Sequence, residues 1–209
     1  MANALNTNTI PQGSENKVGN AILWGKDSSG NYGPHSATNP VMSVDARTGK
    51  ATYRASTPGI LGLVQGDCAT IFGSATKTIR ITKVEITANS GNAGSVVSLE
   101  LIKRSTANSG GTAVALPMVP LDSTNAAASA TLVNSYAGGA PTPGTSVGPI
   151  WTSYTVPQTL VGLITQSWIA DFGAKGQEVV LRGTAQGLVL NHPDAVGGSF
   201  SAAFEWTEE

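Results

Sequence analysis

The chain of 209 residues carries little charge, and this property limits both the fold classes and the classes of partner that it is expected to have. Charged residues make up 12% of it, against roughly 25% in an ordinary globular domain, and 25 glycines with many Ser, Thr, Ala and Asn residues take their place. This composition suits strands and turns better than the exposed faces of helices. The formal net charge of −1 disfavours nucleic acid as a partner, because phosphate binding normally needs a basic face.

The single cysteine and the first residues of the chain indicate the cellular compartment in which the protein is made. Cys68 excludes an internal disulfide and is expected to be a small buried core thiol. The first residues have neither the basic nor the apolar region of a signal peptide, and no apolar run approaches the ~20 residues that cross a bilayer. We therefore expect synthesis in the cytoplasm and no membrane partner.

Residues 1–56 are predicted to form an attachment arm. Residues 1–17 are polar and without periodicity, which indicates a flexible segment. Two short apolar pieces, Ala21–Trp24 and Val41–Val44, each run into a glycine-containing turn, and Ala51–Ala55 is predicted to be the return strand of the second hairpin. So short a segment must lie against something larger. Its candidate interface residues, with Trp24 as the main anchor, are Trp24, Ile22, Tyr32, Val41 and Tyr53.

Residues 57–209 are predicted to form the body, in which short alternating segments are separated by turn signals. The alternation from Lys77 to Thr87 changes phase, because Ile79 and Ile81 are odd-numbered whereas Val84 and Ile86 are even-numbered. A β-bulge near Thr82 would return both pairs to one face. The candidate strands are 60–65, 69–72, 77–87, 97–101, 112–119, 147–156, 166–172, 179–182, 188–191 and 199–206.

Three further patterns complete the predicted body. In the last strand Phe200, Ala202, Phe204 and Trp206 alternate with residues that face outward. Residues 183–187 read as a hairpin loop, whereas 122–148 reads as a long loop in which 125–130 could form one helical turn. About eight to ten short strands without βαβ alternation predict an all-β protein, an antiparallel β-sandwich that is jelly-roll-like, with a small N-terminal hairpin arm.

The residues that could carry chemistry form no recognisable motif. His35 and His192 stand outside metal-ligand spacings, and His192 with Asp194 reads as a polar turn. The acidic residues are scattered, so the sequence predicts no catalytic pair, no metal site and no cofactor. Trp168 and Trp206 lie on apolar strand faces and are predicted core. The basic residues read as the solvent faces of strands, namely Lys77, Arg80, Lys83, Lys103 and Arg104.

Four stretches resemble the virion proteins of tailed bacteriophages and prophages. They are Lys77–Ile86, Leu99–Thr112, Val180–Ala185 and Phe204–Glu209, and the resemblance extends over about residues 57–209. It implies a non-enzymatic structural role in the virion, as a capsid decoration or head-spike component that docks through the arm. The implied partners are the major capsid protein or another virion protein, and copies of the chain itself in a homotrimer.

Two alternatives stay open. One is a receptor-binding or glycan-binding module of a tail fibre or baseplate, in which exposed aromatic residues such as Trp24 or Trp151 stack on a host-surface glycan. The other is a hydrolase of cell-surface polysaccharide, which would need two carboxylates that meet in space. Head and tail proteins both use such sandwiches, so the sequence does not separate a head location from a tail location.

Overall fold

The chain divides into two units, Met1–Thr48 and Gly49–Glu209. In the first unit, β1 (Trp24–Lys26) pairs with β2 (Tyr32–Pro34) in antiparallel register, which confirms a small N-terminal hairpin. A computed structural model describes residues 24–26, 32–34, 50–61, 65–90, 96, 98–137, 141–154, 165–174, 176–194 and 198–209.

The second unit is built from antiparallel strands, and the described residues contain no helix. Short strands dominate because β-branched and small residues alternate between frequent turn residues. The strands are β3 (Ala51–Ser56), β4 (Ile60–Leu61), β5 (Gly66–Phe72), β6 (Ile79–Ser90), β7 (Ser98–Arg104), β8 (Thr112–Ala115), β9 (Val119–Pro120), β10 (Thr131–Ala137), β11 (Ser146–Tyr154), β12 (Thr165–Asp171), β13 (Val179–Leu181), β14 (Gly187–His192) and β15 (Gly198–Glu208).

These strands form two packed sheets with the strand order of a jelly roll. Sheet I has the order β11-β7-β14-β5-β10-β8, and sheet II has the order β12-β6-β15-β3-β9, with β13 on β6 and β4 on β15. Eight of these strands form the jelly roll, and they can be numbered 1 to 8 along the chain: β3, β5, β6, β7, β11, β12, β14 and β15. In these numbers their order is 1-8-3-6 in sheet II and 2-7-4-5 in sheet I. The first strand thus pairs with the last, and two Greek keys close the sandwich. The predicted fold class is confirmed.

The core lies between the sheets and is formed by the inward residues of each strand. The predicted inward residues of β15, from Phe200 to Trp206, are at most 3% exposed. Leu99 and Leu101 of β7 are fully buried opposite them, as predicted. Burying such side chains contributes about 1.5–3 kcal/mol each, so this alternation is the main source of the stability of the sandwich.

The predicted bulge in β6 lies at Thr82. On the neighbouring strand Glu205 is opposite Lys83 and Trp206 is opposite Ile81, so Thr82 is the additional residue between them. The flanking residues Ile79, Ile81, Val84 and Ile86 are all fully buried on one face. The bulge also separates β12 from β13 along β6, because the Thr82 carbonyl accepts hydrogen bonds from the amides of residues 172 and 173.

The N-terminal boundary of the sandwich differs from the prediction. Strand β3 pairs along its whole length with β15 and, at Tyr53 and Arg54, with β9. The sandwich therefore includes β3, although Ala51–Ala55 was predicted as the return strand of an arm hairpin. The alternation of Tyr53 and Ala55 is that of a core strand, and both residues are buried.

Two predicted loops were wrong. The stretch 122–148 contains β10 and the start of β11, and residues 125–130 form no helical turn. Strand β10 lacked a signal because Leu132 and Val133 are both buried, on opposite faces of sheet I, so apolar and polar residues do not alternate there. Residues 183–187 are not a hairpin loop, since β13 pairs in sheet II and β14 in sheet I. The turn crosses between the sheets.

Candidate assembly surface

The predicted interface residues lie in two different parts of the chain. Trp24 is opposite Pro34, and Tyr32 is opposite Lys26, in the backbone register of the N-terminal hairpin. Ile22 and Val41 lie outside the described residues, as do the side chains of Trp24 and Tyr32. The interface role of these four residues stays a prediction.

Tyr53 belongs to the core of the sandwich, contrary to its prediction as an interface residue of the arm. Its side chain is fully buried, and its ring stacks on Trp206 with 5.8 Å between centroids and 19° between planes. The hydroxyl donates a hydrogen bond to the Ala126 carbonyl at 3.0 Å. The residue stacks within the sandwich because β3 is the first strand of the jelly roll and Tyr53 points between the sheets.

The exposed large apolar side chains share one position in the fold. Among the residues whose exposure is described, each of them lies on a terminal strand of a sheet or, for Leu121, one residue beyond it. The terminal strands are β11 and β8 in sheet I and β12 and β9 in sheet II. The exposed residues are Val114, Val119, Leu121, Val147, Ile150, Tyr154 and Ile169. The two lateral edges of the sandwich are therefore apolar surfaces, which commonly mark contact sites.

Aromatic residues connect the two sheets at the edge formed by β11 and β12. Trp151 of β11 and Trp168 of β12 meet edge to face, with 6.4 Å between ring centroids and 68° between planes. Both are half-buried and pack against the core, so the prediction of Trp168 as a core residue is confirmed only in part. Tyr154, at the end of β11, is 66% exposed. This edge thus has a pair of half-buried aromatic rings and one exposed aromatic side chain.

The outer face of sheet II is charged, in contrast to the edges. Arg54 of β3 forms ion pairs with Glu85 and Glu205, and Lys83 forms ion pairs with the same two carboxylates at 3.0 and 3.7 Å. Arg80 pairs with Glu209 at 3.0 Å at one end of this face. The predicted solvent-facing position of Arg80 and Lys83 is consistent with their partial exposure. Opposite charges alternate across the strands, so the face is locally neutral, and its side chains are partly exposed.

Glu85 and Glu205 share the same two cationic partners, Arg54 and Lys83, and polysaccharide hydrolysis requires two neighbouring carboxylates. Their setting does not suit that reaction. The hydrogen bond from Lys83, together with Arg54, lowers the pKa of Glu85, whereas a general acid needs a raised pKa to stay protonated. Both carboxylates also lie on the outer face of a sheet, with their side chains partly exposed. The pair is better explained as part of the ion-pair network on this face.

A buried ion pair on the outer face of sheet I holds two loops, one that contains Asn108 and one that contains Gly144. Asp67 of β5 accepts hydrogen bonds from Arg104 Nε at 2.8 Å and Nη2 at 2.6 Å, from Asn108 at 2.8 Å and from Asn191 at 2.8 Å. Arg104 also donates to the Gly144 carbonyl at 2.9 Å. Arg104 was predicted to face solvent, and this prediction is wrong. Its planar guanidinium group is held by Asp67 and by the Gly144 carbonyl, and its side chain is 7% exposed.

Asn108 extends this network to the second loop. Its side-chain oxygen accepts a hydrogen bond from the Gly144 amide at 2.9 Å, while its amide group binds Asp67. Ser109 and Thr142 form an isolated antiparallel bridge beside it. Gly144 tolerates no side chain, since a Cβ there would lie 1.9 Å from the Thr106 carbonyl oxygen. Each oxygen of Asp67 and each side-chain nitrogen of Arg104 thus has a hydrogen-bond partner, as burial in low dielectric requires.

Cys68 and His192 lie near the same end of sheet I, inside the core. Cys68 is 7% exposed, and burial, reinforced by the neighbouring charge of Asp67, raises the pKa of its thiol to about 12. The predicted buried core thiol is confirmed. His192 is the last residue of β14, is fully buried and stacks on Phe200 at 5.7 Å. The predicted polar turn is therefore wrong at His192, whose ring packs in the core.

The end of β15 holds the segment before β10. The Glu208 carboxylate accepts hydrogen bonds from the amides of Ser129 and Ala130, from the Ser129 hydroxyl and from the Trp206 indole. Burial by itself raises the pKa of Glu208, but these hydrogen bonds outweigh it and lower the pKa below the usual value. Lys77 adds an ion pair at 3.7 Å. The hydrogen bonds to Glu208 thus hold the segment between β9 and β10 over one end of the core.

Comparisons with protein-family models, with curated proteins and with solved structures find no match. In the parts of the chain that the structure describes, no three His, Cys, Asp or Glu residues are grouped so that they could hold a metal ion. Among the same residues there is no helix of the length and apolarity that a membrane span needs.

Proposed function

We propose that this chain is a non-enzymatic structural subunit of a tailed-bacteriophage virion, a capsid decoration or head-spike component. Its partners are the major capsid protein or another virion protein, and further copies of the chain in a homotrimer. The resemblance of residues 57–209 to phage virion proteins suggests this role. The jelly-roll sandwich fits it, since capsid domains use that architecture.

One observation carries the proposal: the exposed large apolar side chains of the described residues are confined to the edges of the sandwich. On a protein that works alone, charged side chains are one common device that keeps an edge strand in water. Here β8, β9, β11 and β12 contain one charged residue between them, Asp171. Edges of this kind are suited to burial against other subunits.

The charged outer face of sheet II supports the proposal that the edges, and not this face, contact other subunits. Removing its ion pairs from water would cost several kcal/mol per ion, which attraction between the partners only partly offsets. Arg54, Lys83, Glu85 and Glu205 are each about a quarter to a third exposed at the side chain. We therefore orient this face toward solvent and the edges toward neighbouring proteins.

The proposal is tested by adding the purified chain to particles that lack it. Lysine substitutions at Val119 and at Tyr154 place a charge on the two opposite edges, while Thr184→Lys places the same charge in an exposed turn between the sheets. We expect at least one edge variant to bind particles about tenfold more weakly, equivalent to ~1.4 kcal/mol, and the turn variant to bind within about twofold of the wild type.

Failure of the wild-type chain to bind such particles, with a monomeric mass in solution, would contradict the proposal. Equal binding by all three variants would contradict the role of the edges. A folding control is the thermal midpoint, which should stay near that of the wild type because each substituted side chain is exposed.

A second candidate, the glycan-binding module of a fibre or baseplate, is favoured by the aromatic side chains of β11. Tyr154 is 66% exposed and Trp151 is half-buried behind the same edge. Binding on a glycan array that is lost in Tyr154→Ala and Trp151→Ala, and retained in Val119→Lys, would support this candidate. Absence of glycan binding by the wild type would remove it.

A further inference from the structure

Three of the four terminal strands carry features that hinder pairing with another strand. Strand β8 has four residues, and β9 has two and ends in Pro120. Strand β11 is longer, but Pro149 lies within it and its register shifts twice, between Ser146 and Gly148 and between Pro149 and Trp151. Short length, proline and bulges are the usual devices that keep an edge strand from pairing with another chain.

Strand β12 has none of these devices. Its seven residues pair with β6 without a shift in register, and they include neither proline nor glycine. Its one charge, Asp171, is at the last position, and Ile169 is 63% exposed. In the described part of the chain β12 ends the order of sheet II, so every second residue directs its backbone N–H and C=O away from β6. Such an edge is a template for strand addition.

We infer that β12 pairs with β12 of a second copy of this chain, antiparallel and about a two-fold axis at Trp168. The two copies of sheet II then form one continuous sheet. This inference does not depend on the proposed virion role. It names a pairing that differs from the trimer contact expected from the resemblance.

The sequence of β12 is compatible with itself in this register. Around an axis at Trp168, Ser167 lies opposite Ile169 of the second copy, and Thr165 lies opposite Asp171. The single charge therefore meets a neutral hydroxyl rather than another carboxylate, so no like charges face each other across the axis. A two-fold contact of this kind uses the same patch twice, as most homodimers do.

The area is close to the minimum for a specific dimer. Seven residues at ~3.3 Å each make an edge ~23 Å long, and two sheets ~10 Å apart with their outward side chains make it ~20 Å wide. Each copy then buries ~460 Å², or ~900 Å² in total, near the ~1,000 Å² that marks a specific interface. Tyr154, on the neighbouring strand of the same edge, adds to this contact. We expect a dissociation constant on the order of 1–100 µM.

Two double variants of the full chain test the register. Both contain Ile169→Lys, which lies beside Glu85 within the chain. One adds Ser167→Lys, so that lysines face each other across the axis, and the other adds Ser167→Glu, so that opposite charges face each other. Each of these charge pairs occurs twice in the dimer, and one cross-strand pair changes the free energy of association by ~0.2–1 kcal/mol. Val114→Lys, on β8, is the control for a charge on the other edge.

Sedimentation equilibrium over a concentration series provides the readout. We expect a wild-type dimer, a dissociation constant at least about tenfold weaker for the lysine–lysine variant than for the lysine–glutamate variant, and a control within about twofold of the wild type. A wild-type chain that stays monomeric up to ~1 mM overturns the inference. So do equal dissociation constants for the two double variants. A trimeric mass also overturns the inference, and it would favour the homotrimer of the proposed function over this two-fold pairing. The particle-binding test of the proposed function is separate and is decided by other variants.

Discussion

Asp67→Asn probes the buried ion pair that holds the loops over sheet I. The substitution keeps the shape of the side chain but removes its charge and one of its two acceptor oxygens. Four hydrogen bonds of 2.6 to 2.8 Å end on the native carboxylate, and its side chain is fully buried. Arg104 would then be an unpaired charge at 7% exposure, so we expect a loss of about 3–5 kcal/mol in the free energy of unfolding.

The double variant Asp67→Asn/Arg104→Met separates the ion pair from the rest of the network. Because it removes both charges, we expect it to be more stable than Asp67→Asn by about 1–3 kcal/mol. Urea denaturation at pH 7, followed by circular dichroism, measures both quantities. A loss below about 1 kcal/mol for Asp67→Asn, or simple additivity of the two substitutions, would refute the reasoning.

Three further predictions concern single sites. Since the pKa of Glu208 is lowered in the folded chain, its contribution to stability is present above the usual pKa of 4.5 and is lost as the pH falls through the folded value. Glu208→Gln should therefore cost about 1–3 kcal/mol at pH 7, and the difference from the wild type in urea denaturation should shrink below pH 4.5. Cys68, with a thiol pKa of about 12, should react with a thiol reagent at pH 8 only after unfolding, which absorbance of the released chromophore reports. Gly144→Ala should lower the thermal midpoint strongly, because its Cβ would overlap the Thr106 carbonyl, whereas Gly59→Ala, with open space around it, should change the midpoint little.

The part of the fold that could be predicted from the sequence is the part in which one face of a strand is buried. The phase change around Thr82 located the bulge because four apolar residues must share the core face. Strand β15 was predicted for the same reason. Strand β10 was missed because both of its faces are covered at Leu132 and Val133, which removes the alternation. The order of the strands in each sheet is a long-range property that alternation does not contain.

The candidate site was less accessible to sequence reasoning. Arg104 looked like a solvent-facing residue because its partner Asp67 is 37 positions away and no local pattern connects them. Tyr53 was assigned to the arm because its strand follows a turn signal, although its neighbour β15 is at the other end of the chain. The exposed side chains at the edges, such as Ile169 and Tyr154, have the same apolar character as core residues. Their exposure follows from the strand order alone.

Cryo-electron microscopy of a particle that carries this chain tests the central claim most directly. We expect density for the jelly roll in which the terminal strands β8, β9, β11 and β12 contact neighbouring proteins and the ion-paired face of sheet II points to solvent. Contacts made through Arg54, Lys83, Glu85 and Glu205, with the apolar edges left in water, would contradict the account.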